Sequence, residues 1–100
     1  MKPSTRPADV ALMPVLTLLR ADARHNAEAA DNAYSIADTF AAERALAAEH
    51  TRRANALWQH ATALRQTAGL MRDLVSDPDA TAAQRIELVN TAHSLMSHHP

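Results

Sequence analysis

Hydrophobic residues in the middle of the chain recur at alternating spacings of three and four. At every seventh position from residue 33 to residue 75 stands an alanine or a larger apolar residue, and four of the six positions three residues further on are also apolar. This spacing is the a/d pattern of helices that pack side by side. The predicted helix-packing seam consists of Ala33, Ile36, Phe40, Ala47, Ala54, Leu57, Ala61, Leu64, Ala68, Met71 and Val75. Alanine at so many of these positions would let a neighbouring helix approach to about 8 Å.

The residue composition supports the helical interpretation. The chain of 100 residues contains 23 alanines, the residue with the highest helix propensity, and only one glycine, which loops and phosphate-binding turns require. Strand-forming β-branched and aromatic residues are few. These features predict an all-α fold, either a helical bundle or an antiparallel coiled coil, with a long central helix and a shorter C-terminal helix.

A chain of this length is expected to form one domain. Prolines and polar residues at the start predict a disordered N-terminal arm over residues 1–8, followed by a single helical domain over 9–97 and a frayed tail at 98–100. Because proline is favoured at the first position of a helix, Pro14 predicts that the first helix begins near residues 12–13.

The position of the first turn is less strongly marked. Asp22 and Asn26 are polar residues on the apolar face of the first helix, and they favour a turn within residues 25–32. The central helix would then occupy about residues 31–76, a length typical of a coiled coil. The alternative is a second break within residues 50–55, which would give a compact four-helix bundle.

The last turn has the clearest sequence signal. Residues 76–79 read Ser-Asp-Pro-Asp, which is typical of a turn, and the segment Thr81–Gln84 has the form of a capping box. In that motif the Thr81 hydroxyl and the Gln84 side chain each satisfy a backbone N–H of the first helical turn. A final amphipathic helix is therefore predicted to follow and to end before His98.

The supply of large apolar side chains is small for a core. Alanine provides 23 of the 47 hydrophobic residues, and burying an alanine contributes much less than the roughly 1.5–3 kcal/mol gained by burying a larger apolar side chain. Covering the alanine seam with another helix would stabilise such a chain. The composition therefore favours a homodimer over an isolated monomer.

Two polar residues occupy consecutive d positions of the predicted seam. Glu43 and His50 stand two helical turns apart where apolar residues are expected. A buried charged group is costly unless it is paired, so each is expected to meet a polar partner across the interface. We interpret them as a polar layer that sets the register between helices.

A row of basic residues runs beside the seam. Residues 44–75 contain five arginines and two acidic residues, whereas residues 1–43 contain four basic and six acidic residues. We expect the basic row to pair with acidic residues of the first helix or of a second protomer. The alternative is that it tracks the backbone of a single-stranded nucleic acid, with tryptophan stacking on a base. This arginine ridge consists of Arg44, Arg53, Trp58, Arg65 and Arg72.

The sequence contains no motif that indicates an enzyme. It has no cysteine, no glycine-rich phosphate loop and no zinc-protease motif, and no two histidines stand three or four residues apart on a helix. Asp22 and His25 form only half of a carboxylate-bridged metal motif. We therefore expect no catalytic residues, no cofactor and no metal.

These features predict a non-enzymatic helical interaction protein, such as an adaptor, inhibitor or assembly factor, that acts through a helix face and self-associates. The single-stranded nucleic-acid-binding accessory protein is the alternative. A further alternative is an exported protein with a cleaved N-terminus, because the apolar run at residues 10–19 is similar to the core of a signal peptide. That run is too short to cross a membrane, so no membrane partner is expected, and a cysteine-free chain favours the cytoplasm.

Overall fold

The computed structural model describes residues 7–98, with side chains from Leu12 onward, and these residues form three α-helices. Helix α1 is Pro7–Thr39, helix α2 is Arg44–Ser76 and helix α3 is Ala82–Ser97. No strand occurs in this part of the chain. The predicted all-α fold is confirmed.

Helices α1 and α2 form a long antiparallel hairpin. Each contains 33 residues and so extends about 50 Å at 1.5 Å per residue, and the longest dimension of the molecule is 63 Å. Helix α3 contains 16 residues, about 24 Å, and packs beside the end of the hairpin where α1 begins and α2 ends. About half of the hairpin therefore has no third helix against it.

The main hydrophobic core lies where all three helices meet. Its buried members are Leu12, Leu16, Leu19, Ala23, Leu64, Ala68, Met71 and Ala92. Half-buried Leu88 and Leu95 of α3 pack against this cluster, so the short helix covers the apolar side chains of the hairpin. Leucine and methionine supply most of the apolar area that is buried there, so burial contributes more at this end than where alanine predominates.

The distal half of the hairpin, residues 26–58, has a much smaller core. The buried cluster between α1 and α2 in this half consists of Ala30, Ala33, Ala54 and Leu57. Three of these four residues are alanines, whose small side chains allow the two helices to pack closely but bury little apolar area. This half depends on helix propensity and close contact rather than on large side chains.

The predicted start of the first helix is wrong. Helix α1 begins at Pro7, and Pro14 lies inside it instead of at its first position. A proline within a helix removes one backbone hydrogen bond. Leu12 and Leu16, on either side of Pro14, are both buried in the main core, and their packing holds the helix across this position. Most of the predicted N-terminal arm, residues 1–6, lies outside the described residues.

The predicted turn within residues 25–32 is also wrong, because α1 continues through it. Asn26 is buried, yet its side-chain amide donates hydrogen bonds to the backbone oxygen of Asp22 at 2.8 Å and to Asp22 Oδ1 at 3.2 Å. The polar group is thus satisfied inside the helix and does not require a turn. The alternative break within residues 50–55 is wrong as well, since α2 is continuous there.

The turn between the long helices lies at residues 40–43 and contains neither glycine nor proline. The Phe40 N–H still donates to the Ile36 oxygen at 3.1 Å, and the Glu43 N–H donates to the Phe40 oxygen at 2.8 Å. These two bonds tighten the chain into a single turn before α2 begins. The central helix therefore starts at Arg44 rather than near residue 31, although it ends at Ser76 as predicted.

The second turn follows its sequence signal. The Asp79 N–H donates to Asp77 Oδ1 at 2.8 Å, which closes a side-chain-stabilised turn after α2. The Thr81 N–H donates to Gln84 Oε1 at 2.8 Å and the Gln84 N–H donates to Thr81 Oγ1 at 3.1 Å. The predicted capping box is therefore present at the start of α3.

Candidate interaction surfaces

The structure places the central part of the predicted seam in the interior. Six consecutive a and d positions of α2 are no more than 6% exposed, and they extend over about half of the helix. They are Ala54, Leu57, Ala61, Leu64, Ala68 and Met71. Ala33 is their buried counterpart on α1, while Val75 and Ala47 are half-buried at the two ends of α2.

The predicted seam does not continue through the turn. Ile36 is 40% exposed, and Ala37, the next residue, occupies the interior position instead. The buried residues of α1 from Leu12 to Ala37 share every seventh position with the seam of α2, but the positions between these are shifted by one residue. Phe40 lies in the turn and is half-buried.

Glu43 and His50 do not form a buried polar layer. Glu43 is the exposed residue just before α2, and it makes no side-chain capping hydrogen bond. The half-buried His50 ring stacks on Phe40, with ring centroids 6.0 Å apart and an angle of 17° between the rings. His50 therefore closes the tip of the hairpin through an aromatic contact.

A groove runs along the distal half on the side of the hairpin that carries α3. Arg53 is separated from Thr67 and Leu74 by multiples of seven residues, so the three side chains lie along one stripe of α2. Thr67 and Leu74 line the contact between α2 and α3. The groove thus continues the path of α3 beyond the point where that helix stops. This distal groove has a volume of about 600 Å³ and is lined by Ala29, Asn32, Ala33, Ile36, Glu49, His50 and Arg53.

The structure divides the predicted arginine ridge. Arg53 lines the distal groove and Arg44 lies at the tip, whereas the guanidinium carbon of Arg65 lies 5.4 Å from the centre of the Trp58 ring. Among the described residues, the only ion pair made by the ridge joins Arg72 to its sequence neighbour Asp73 at 3.8 Å. The expected pairing of the ridge with acidic residues of the first helix is therefore absent within the described chain.

A second groove brings together arginines from both long helices. Arg20 and Arg24 of α1 face Arg65 and Arg72 of α2 across a space of about 520 Å³. The floor between them is formed by small residues, namely Ala23, Ala68 and Gly69. We call this site the arginine groove. The sequence pattern did not indicate Arg20 and Arg24, because the first helix was expected to be the acidic partner of the ridge.

Neither a metal site nor a membrane span is visible between residues 7 and 98. No group of three or more histidine, aspartate or glutamate side chains in this range lies close enough to hold a metal ion. Asp22 accepts its hydrogen bond from Asn26, one turn further along α1. No helix of the described chain is sufficiently long and apolar to cross a membrane.

No protein-family model, no curated protein and no solved structure matches this sequence. The distal groove and the arginine groove both lie on the hairpin, on opposite sides of its buried seam.

Proposed function

We propose that this protein is a non-enzymatic helical interaction protein that self-associates through the distal groove. The observation that carries the proposal is the position of this groove, which continues the path of α3 along a part of the hairpin that no third helix covers. A helix from a second copy would pack there as α3 packs on the other half. Such a protein would act as an adaptor, inhibitor or assembly factor.

The small distal core supports this proposal. With three alanines among the four residues of its buried cluster, the distal half gains little from burial in a single chain. Ile36 lines the groove while 40% exposed, so covering it would remove further apolar surface from water. If the distal halves of two hairpins cover each other in this way, their four helices form a four-helix bundle.

The charges in the groove support a second copy as the occupant. Glu49 and Arg53 both line the groove, and neither makes an ion pair among the described residues. A two-fold symmetric interface must be complementary to itself. In an antiparallel arrangement Glu49 of one protomer would meet Arg53 of its partner, and the reciprocal pair would form by symmetry. A cytoplasmic location is compatible with this proposal, because the chain has no cysteine.

Sedimentation equilibrium of the full-length protein and of two glutamate variants tests the proposal. We expect the wild type to have about twice the chain mass of 10.8 kDa and Ile36→Glu to have the mass of one chain. The matched control is Ile86→Glu, because Ile86 is 62% exposed on the outer face of α3. It should leave the dimer intact.

Three outcomes would contradict the proposal. A measured wild-type mass of 10.8 kDa at high micromolar concentration would show that the protein does not self-associate. A dimer that survives Ile36→Glu, or one that Ile86→Glu also dissociates, would show that the distal groove is not the interface. Circular dichroism of Ile36→Glu distinguishes a folded monomer, as expected, from an unfolded chain.

A further inference from the structure

We propose that the arginine groove binds the phosphate backbone of a single-stranded nucleic acid, and that Trp58 stacks on one of its bases. Four guanidinium groups surround this groove, two from each long helix. Arginine is the residue best suited to phosphate, since its planar fork donates two parallel hydrogen bonds and stays charged. The groove therefore offers up to four phosphate contacts along one face of the hairpin.

The positive charges of the arginines in the groove are largely not neutralised by ion pairs with acidic side chains. Arg20, Arg24 and Arg65 make no ion pair with any described residue, and the single pair of Arg72 with Asp73 joins two largely exposed side chains. Exposed pairs of this kind are weak. All four arginines line the same groove, two from each long helix, so like charges are gathered there. A bound polyanion would relieve this repulsion.

Gly69 provides an independent argument for a ligand. It is the only glycine in the chain and stands inside α2, where glycine is about 1 kcal/mol less favourable than alanine. A Cβ atom at this position would meet nothing within 4 Å, so packing of the fold does not require glycine. Gly69 lines the floor of the arginine groove, and its missing side chain lets a ligand approach the helix closely.

The aromatic residue beside the groove favours a nucleic acid over a ligand that consists of phosphate alone. Trp58 is 42% exposed and belongs to the same stripe of α2 as Arg65 and Arg72. The guanidinium carbon of Arg65 lies over this ring, 5.4 Å from its centre, which is a cation–π contact. Single-stranded nucleic acids are bound by this combination of a basic track and an exposed aromatic ring.

This site is separate from the proposed dimer interface. On α2 the arginine groove lies along the stripe of Trp58, Arg65 and Arg72, whereas the distal groove lies along the stripe that contains Arg53. The buried seam lies between the two stripes. Dimerisation through the distal groove would leave the arginine groove open, so binding and self-association can fail independently.

Fluorescence anisotropy with a fluorescein-labelled single-stranded oligothymidylate, titrated at several salt concentrations, tests the proposal. Four phosphate contacts predict a log–log salt slope of about −2.8, from about −0.7 per contact. Arg24→Ala/Arg65→Ala should reduce the slope to about −1.4 and weaken binding. The matched control is Arg44→Ala/Arg52→Ala, which removes the same charge from exposed positions outside the groove and should keep the wild-type slope.

Two further variants test the stacking of a base on Trp58 and the close approach of the ligand at Gly69. Trp58→Ala should weaken binding by about 5-fold to 150-fold, the effect of losing one stacked base. Gly69→Leu should fill the groove and weaken binding severalfold while circular dichroism shows an intact fold. Absence of binding at low salt, or equal effects of the groove and control pairs, would overturn the proposal. An unchanged affinity of Trp58→Ala or Gly69→Leu would overturn the assignment of a nucleic acid in this groove.

Discussion

The close packing of the alanine seam can be tested by enlarging two of its members. Ala54 and Ala61 are fully buried, and Ala54 packs in the cluster that contains Ala30 and Ala33 of α1. Replacing either alanine by leucine adds three carbon atoms where the helices leave no space. Overpacking of this kind costs about 1–3 kcal/mol. In a domain of this size each kcal/mol lowers the melting temperature by roughly 4–8 °C.

Thermal unfolding followed by circular dichroism measures this effect. We expect Ala54→Leu and Ala61→Leu each to melt at least about 4 °C below the wild type at one fixed protein concentration. The matched control is Ala48→Leu, which makes the same change at an exposed position of α2 and should alter the free energy of unfolding by less than about 0.5 kcal/mol. Unchanged melting temperatures for both buried variants would refute the close-packed seam.

Three further predictions concern the described packing and capping. Leu64→Ala should lower the free energy of unfolding by about 2–5 kcal/mol, whereas Leu70→Ala, at a residue that is 60% exposed, should change it by less than about 0.5 kcal/mol in urea unfolding. Thr81→Ala removes the capping hydroxyl of α3 and should cost about 0.5–2 kcal/mol in the same assay, and an unchanged value would argue against the capping box. Gly69→Ala should raise the free energy of unfolding by up to about 1 kcal/mol, and a loss of stability would show that the position is more crowded than described.

The sequence predicted helix α2 and α3 better than α1. The heptad spacing of α2 is regular from Ala54 to Met71, and turn residues with specific hydrogen bonds mark its C-terminal end. Between α1 and α2 there is no such signal, because residues 40–43 contain neither glycine nor proline. The available clue was a change of phase. The spacing of α1 leads from Leu12 to Ala37, whereas the spacing of α2 extended backwards leads to Ile36.

The polar residue Asn26 misled the prediction for a physical reason. On an apolar helix face such a residue indicates either a turn or a side chain that is satisfied locally, and sequence alone does not distinguish the two. In the structure its amide bonds to the backbone and carboxylate of Asp22, so α1 continues. Local hydrogen bonding of this kind depends on rotamers that the sequence pattern does not specify.

The arginine groove could be predicted only in part. Arg65 and Arg72 belong to a stripe that is visible in the sequence, but Arg20 and Arg24 join them through the register of the hairpin. That register depends on the position of the turn, which was placed too early by about 13 residues. With the turn at residues 40–43, the one-turn spacing of Arg20 and Arg24 would have placed both beside α2.

The proposed interface is tested most directly by a distance between two protomers. Because the chain has no cysteine, Ser35→Cys introduces a single labelling site at an exposed position beside Ile36, on the border of the distal groove. Dipolar electron paramagnetic resonance on the spin-labelled protein should show an intermolecular distance within about 35 Å, since two packed helix layers are about 20–24 Å thick and the labels add to this. The additional change Ile36→Glu should abolish this intermolecular distance. The absence of a distance in this range at high micromolar concentration, or its persistence with Ile36→Glu, would contradict self-association through the distal groove.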